Sequence, residues 1–200
     1  MFLYNIFLFY AIVWFIQENG RVKKMNDVKN CKTALPPDTF LPKKLTETEE
    51  GRKILSVLSR HLISLIPGND YRLPSFQMSQ PIMEALYSAR RTGRLIRGLE
   101  DAEKKLNAER AGIVKVDNKT GSDRKVRISR LVVVANDGSE RFYRQTKKLI
   151  ERNRPRALAI YLNITSFELG ERLFGPGKRV LFLLISHKDS VVDFLTSLTR

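Results

Sequence analysis

Between Arg130 and Leu198 three short apolar runs, RLVVVA, ALAIYL and VLFLLI, alternate with three stretches of helical character, and few folds accept that order. Runs this short and this rich in Val, Leu and Ile read as strands buried on at least one face. The expected elements are strands over 130–135, 157–162 and 180–185 and helices over 139–152, 166–174 and 190–198. Right-handed crossovers then lay helices on both faces of the sheet. The expected fold class is therefore α/β, a three-layer α/β/α sandwich around a small mixed sheet.

Upstream, PIMEALYSARR and LEDAEKKLNAERA are spaced as helices, separated by Gly93 and the short apolar piece RLIRG. GIVKVDNKTGSDRKVRI places a turn signal, Asn118 to Gly121, between two alternating runs, so an inserted hairpin is expected over 111–128. Earlier still, a helix over 47–66 carries Ile54, Leu55, Leu58, Leu62, Ile63 and Leu65 on one face before Pro67-Gly68 ends it. Pro74 breaks the stretch from Leu73 to Ser79, which reads as an irregular link. The division that results is an extension over 1–79 and a folded domain over 80–200.

The extension itself has an apolar segment over 1–16 and a proline-containing linker over 25–46. The apolar segment is short for a membrane span and lacks the basic leader of a secretory signal. Three readings stay open: a signal anchor, a helix buried against a partner, and a chain whose true start is Met25. A membrane partner stays open with them.

The net charge of +15 is concentrated in residues 81–200, which hold 25 of the 36 basic and 14 of the 21 acidic side chains. A folded domain with that balance attracts polyanions, and nucleic acid is the first expectation. The lone Cys31 forms no intrachain disulfide, and His61 and His187 do not complete a zinc set with it. An intracellular protein with no metal or other cofactor is expected. Ser186, His187 and Asp189 are catalytic residue types, but neighbours in one loop do not adopt nucleophile, base and orienter geometry. Asp137-Gly138-Ser139 reads as a helix cap rather than a phosphate pocket. No catalytic residue and no enzymatic activity are expected.

Taken in order, SARRTGRLIRGLEDAEKKL, LVVVANDGSERFYRQTKKL and SFELGERLFGPGKRVLFLLI resemble the ribosomal protein superfamily of the archaeal kink-turn binder L-seven-Ae and the eukaryotic L-thirty-e, nearest to its bacterial ribosome-associated members. The similarity covers about residues 80–198. It implies binding of structured RNA through the helix start at Gly98, Leu99, Glu100 and Lys104 and through the loop at Gly177, Lys178 and Arg179. Arg94 and Arg97 are candidates to extend the contact, together with Arg90 and Arg91. Members that read a kink-turn have Asn-Glu where this chain has Glu100-Asp101, and a carboxylate there removes donors and repels phosphate. The implied function is therefore non-enzymatic binding of structured RNA by shape and backbone contact. Its implied setting is a ribosome, cytoplasmic or organellar, with ribosomal RNA and neighbouring ribosomal proteins as partners. The alternative is a protein-interaction module whose basic face takes an acidic protein.

Overall fold

The structure, a computed structural model, describes residues 40–69, 71–120 and 127–200. They all belong to one compact unit, Lys32–Arg200. The apolar segment over 1–16, the linker up to residue 39 and residues 121–126 of the expected hairpin lie outside the described residues.

The elements run α1 (Glu49–Arg60), β1 (Leu62–Ser64), β2 (Arg72–Gln77), α2 (Gln80–Arg91), β3 (Leu95–Arg97), α3 (Leu99–Thr120), β4 (Arg130–Val134), α4 (Glu140–Arg152), β5 (Ala157–Asn163), α5 (Ser166–Phe174), β6 (Phe182–Ile185) and α6 (Lys188–Ser197). The sheet is mixed, in the order β1-β2-β5-β4-β6-β3. β2, β5 and β4 run parallel, while β6 lies antiparallel to β4 and β3, and β1 antiparallel to β2. Successive residues of a strand point to opposite faces, so the unbroken run Leu131 to Val134 feeds two cores at once. Leu131 and Val133 pack with Ile54, Leu58, Leu86, Leu169 and Phe194 of the helices on one face. Val132 and Val134 pack with Ala102 and Leu106 of α3 and Tyr143 and Ile150 of α4 on the other. Three layers follow, as the sequence pattern requires. None of the helices among the described residues is long and apolar enough to cross a membrane.

The structure corrects the sequence reading in three places. Residues 111–120 continue α3 instead of forming a hairpin arm: among the described residues no strand pairs with them, and a helix already nucleated propagates at one hydrogen bond per residue. The helix expected over 47–66 stops at Arg60, and Leu62–Ser64 turns into β1. Leu73 to Ser79 is no loose link either, since most of it is β2, inside the sheet. β2 tolerates Pro74 because its pairing with β5 begins only at Ser75, so the missing N–H falls just outside that ladder. β1 and β2 are thus strands of the same sheet as the rest, α1 packs into the same core, and no boundary falls at 79/80.

One ion cluster ties the middle of α3 to the sheet and to the chain entering β5. Glu109 accepts from Arg130 Nε at 2.8 Å and Nη2 at 2.9 Å, and from Arg156 Nη2 at 2.9 Å. Burial raises the Glu109 carboxyl, but the hydrogen bonds and charges of Arg130 and then Arg156 outweigh it and hold it below the usual glutamate range. A depressed carboxylate contributes stability above its unfolded value, and that stability is lost as pH falls through the folded value. Glu109→Gln is expected to melt several degrees below wild type at pH 7. In thermal melts the gap should close as pH drops below the ordinary carboxylate range; a gap that stays constant to pH 3 would contradict the assignment.

Candidate functional site

Because β2, β5 and β4 run parallel and β3 shares their direction, four strand ends meet at one edge of the sheet. β3 ends there at Arg97, and Gly98 turns the chain into α3. Gly98 has φ +93°, a conformation that other residues adopt only under strain, and its N–H donates to the Phe182 carbonyl at 3.0 Å. Its carbonyl receives the Ala102 amide, so Gly98 caps α3 without supplying a side-chain acceptor. Among the described residues, the Leu99, Glu100 and Asp101 amides have no acceptor. Such a helix end offers free donors and the positive end of the helix dipole.

The second segment arrives at the same edge from α5. A Cβ on Gly170 would sit 2.1 Å from the Lys178 carbonyl oxygen, so only glycine lets the loop lie flush on the helix. Thr165 caps α5 by accepting from the Glu168 amide, and the Asp137 carboxylate adds bonds from the Ser166 amide at 2.8 Å and hydroxyl at 2.7 Å. Gly177 donates to Glu171 Oε1 at 3.3 Å, and Val180 donates to the Ser166 carbonyl at 2.8 Å. With its backbone fastened in this way, the loop leaves Lys178 and Arg179 exposed.

Between these segments and α4 lies a groove of about 900 Å³. The start of α3 forms one wall with Gly98, Leu99, Glu100, Asp101 and Glu103. Phe142, Gln145, Lys148, Leu149 and Arg152 of α4 form the other. Gly177, Lys178 and Arg179 stand at its mouth beside Arg97, and the chain from Val180 to Phe182 forms its floor. Five cations (Arg97, Lys148, Arg152, Lys178, Arg179) and three carboxylates (Glu100, Asp101, Glu103) border it, a local excess of two positive charges. Arg152 also pairs with Glu103 across the groove at 3.4 Å.

Seven of the nine residues expected from the sequence therefore meet in one groove. Arg94 does not: it precedes β3 at the opposite end from Gly98, where its carbonyl accepts from the Ser186 amide and hydroxyl. Lys104 does not line the groove either, and pairs with Asp101 at 3.5 Å. Arg90 does not line the groove but stands next to it, its guanidinium 5.0 Å from the centre of the Phe174 ring that Arg97 also holds at 5.4 Å. The sequence reading missed the α4 wall. Its signal was present, since Phe142, Gln145, Leu149 and Arg152 recur at helical spacing beside the buried stripe of Tyr143, Thr146 and Ile150. It also missed Phe167, an exposed ring on α5 lying 5.9 Å from the Arg179 guanidinium.

Ser186 takes a partner apart from His187 and Asp189, which contact each other, His187 Nδ1 lying 3.5 Å from the Asp189 carboxylate. The Ser186 hydroxyl donates to the Arg94 carbonyl, His187 Nδ1 accepts the Asp189 amide as the cap of α6, and Asp189 pairs with Lys44 at 2.9 Å. Asp137 and Ser139 cap helices as expected, but different ones: Ser139 accepts from Phe142 at the start of α4, while Asp137 serves α5.

No family model matches the chain, and no curated protein matches it. Among solved structures, a protein of unknown function from Bacillus halodurans C aligns with a TM-score of 0.43 and 11% identity over 62% of this chain and 100% of that one. The 15.5kD RNA binding protein of Giardia lamblia aligns with a TM-score of 0.40 and 12% identity over 60% of this chain and 82% of that one. Both are distant likenesses.

Proposed function

We propose that this protein binds structured RNA in the groove between α3, α4 and the Gly175–Val180 loop, without catalysing a reaction, as a ribosomal or ribosome-associated protein. The observation that carries the reading is the meeting of exposed Lys178 and Arg179 with Lys148 and the free amides at the start of α3 in a single concavity. Cations hold a phosphodiester backbone, free amides hydrogen-bond base edges and 2′-hydroxyls, and a groove bordered by two helices suits a folded RNA better than a flat patch would. Glu100 and Asp101 set the orientation: their carboxylates repel phosphate, so the backbone follows Lys148, Lys178 and Arg179 while the α3 amides face base edges or 2′-hydroxyls. The Asn-Glu signature of kink-turn readers is absent, and general structured RNA fits this charge pattern better.

A C-terminally tagged protein followed through a sucrose gradient is expected to co-sediment with a ribosomal subunit and to return to the light fractions after ribonuclease. In vitro, four phosphate contacts, at Arg97, Lys148, Lys178 and Arg179, predict log Kd against log salt with a slope of magnitude about 3 to 3.5. A light peak indifferent to ribonuclease would replace this reading with that of a protein-interaction module for an acidic partner.

A further inference from the structure

A row of three side-chain amides crosses the sheet edge beside the groove. β2, β5 and β4 are adjacent parallel strands, and at or just past their ends stand Gln77, Asn163 and Asn136. Gln77 is in register with Asn163, and the Asn136 amide nitrogen of the main chain donates to the Ile164 carbonyl at 3.0 Å. Asn136 Nδ2 donates to Asn163 Oδ1 at 2.9 Å, and Asn163 Nδ2 donates to Gln77 Oε1 at 3.1 Å. Gln77 and Asn163 are exposed and Asn136 is half-buried. Water would satisfy these groups equally well, so ordering them in a chain contributes little to stability. The chain does fix the direction of every amide. Each carboxamide has two N–H donors and two acceptor lone pairs, so each keeps unused capacity of both kinds pointing outward.

The row is continuous with the groove, because Ala135, next to Asn136, donates its amide to the carbonyl of Leu181 on the groove floor at 3.0 Å. Tyr161 lies one pleat back from Asn163 on the same face and is half-buried, which places an aromatic ring along the row. Oriented amides beside an aromatic ring suit unstacked bases, whose edges take hydrogen bonds and whose faces take rings. A carboxamide pairs bidentately with adenine, giving an acceptor to N6 and a donor to N7.

We propose that Gln77, Asn163 and Asn136 read the bases of unpaired nucleotides leaving the groove, with a preference for adenine. The inference rests on the groove being an RNA site. The test measures binding of the full chain to three fluorescent RNAs that share one hairpin: blunt, with a four-adenosine overhang, and with a four-uridine overhang. The adenosine form is expected to bind about tenfold tighter than the uridine form, as one bidentate pair implies. Asn163→Ala and Gln77→Ala should remove that ratio and leave the affinity for the blunt hairpin and the melting temperature unchanged. Lys178→Glu with Arg179→Glu should weaken all three and keep the ratio. A wild-type ratio of one or below, or a ratio that survives Asn163→Ala, overturns the base-reading row while the groove stands. Failure to bind any of the three RNAs overturns both.

Discussion

Lys178→Glu with Arg179→Glu is expected to weaken RNA binding by about 30- to 100-fold near physiological salt and to reduce the salt slope by about 2. The size follows from the charges involved. Giving up one phosphate interaction at that ionic strength removes roughly 1 kcal/mol of counterion release, and each reversed charge adds repulsion toward the same phosphate. Fold stability should not change. Both side chains are exposed at the groove mouth, and neither belongs to an ion pair among the described residues. The loop is held by its backbone, through Gly170, Gly177 and Val180, so reversing the side chains leaves its path in place. Filter binding or fluorescence anisotropy across a salt series reads affinity and slope together, and a circular dichroism melt provides the control. An unchanged slope with an unchanged melt would remove this loop from the interface.

What the sequence showed clearly were the elements whose local and global signals agree. β4, β5 and β6 are continuous apolar runs because helices cover both faces, and α4 and α5 start where Ser139 and Thr165 cap them. The elements it hid are those whose local signal points elsewhere. Leu62 and Ile63 extend the helical stripe set by Ile54, Leu55 and Leu58, and only pairing with β2 reveals them as a strand. β2 itself carries Pro74 and polar Ser75 and Gln77, which are poor strand residues until the neighbouring β5 supplies the ladder. Ile113, Val114 and the Asn118–Gly121 turn signal favour a hairpin locally, yet with no partner strand among the described residues the helix continues to Thr120, leaving Ile113 and Val114 exposed. The same logic divides the site. Residues in sequence segments with special backbone, Gly98 and Gly177, were legible, whereas the α4 wall depended on knowing which helix faces which.

Val133→Asp is expected to abolish the native fold. Val133 is fully buried in the central strand β4, between Ile160 of β5 and Leu183 of β6, on the face packed by α1, α2, α5 and α6. Removing the valine side chain from the core costs about 1.5–3 kcal/mol, and an unpaired carboxylate, ionised or forced to protonate, adds several more. The sum is comparable with the roughly 5–15 kcal/mol that holds an ordinary domain together. Val133→Ala, which leaves a small cavity and no charge, should keep the fold at a cost of about 2 kcal/mol. Loss of the cooperative melt and rapid proteolysis in Val133→Asp, with the melt and protease resistance retained in Val133→Ala, would place the carboxylate in the core. A soluble, cooperatively melting Val133→Asp would mean that β4 does not occupy the centre of the sheet. The pair also sharpens the functional test. Val133 lies on the sheet face opposite α3 and α4, so it belongs to neither wall of the groove. RNA binding should vanish with Val133→Asp only because the fold does, and should persist in Val133→Ala. Lys178→Glu with Arg179→Glu should show the reverse, an intact melt with binding weakened, and the two results together separate a groove that binds from a domain that merely has to be folded.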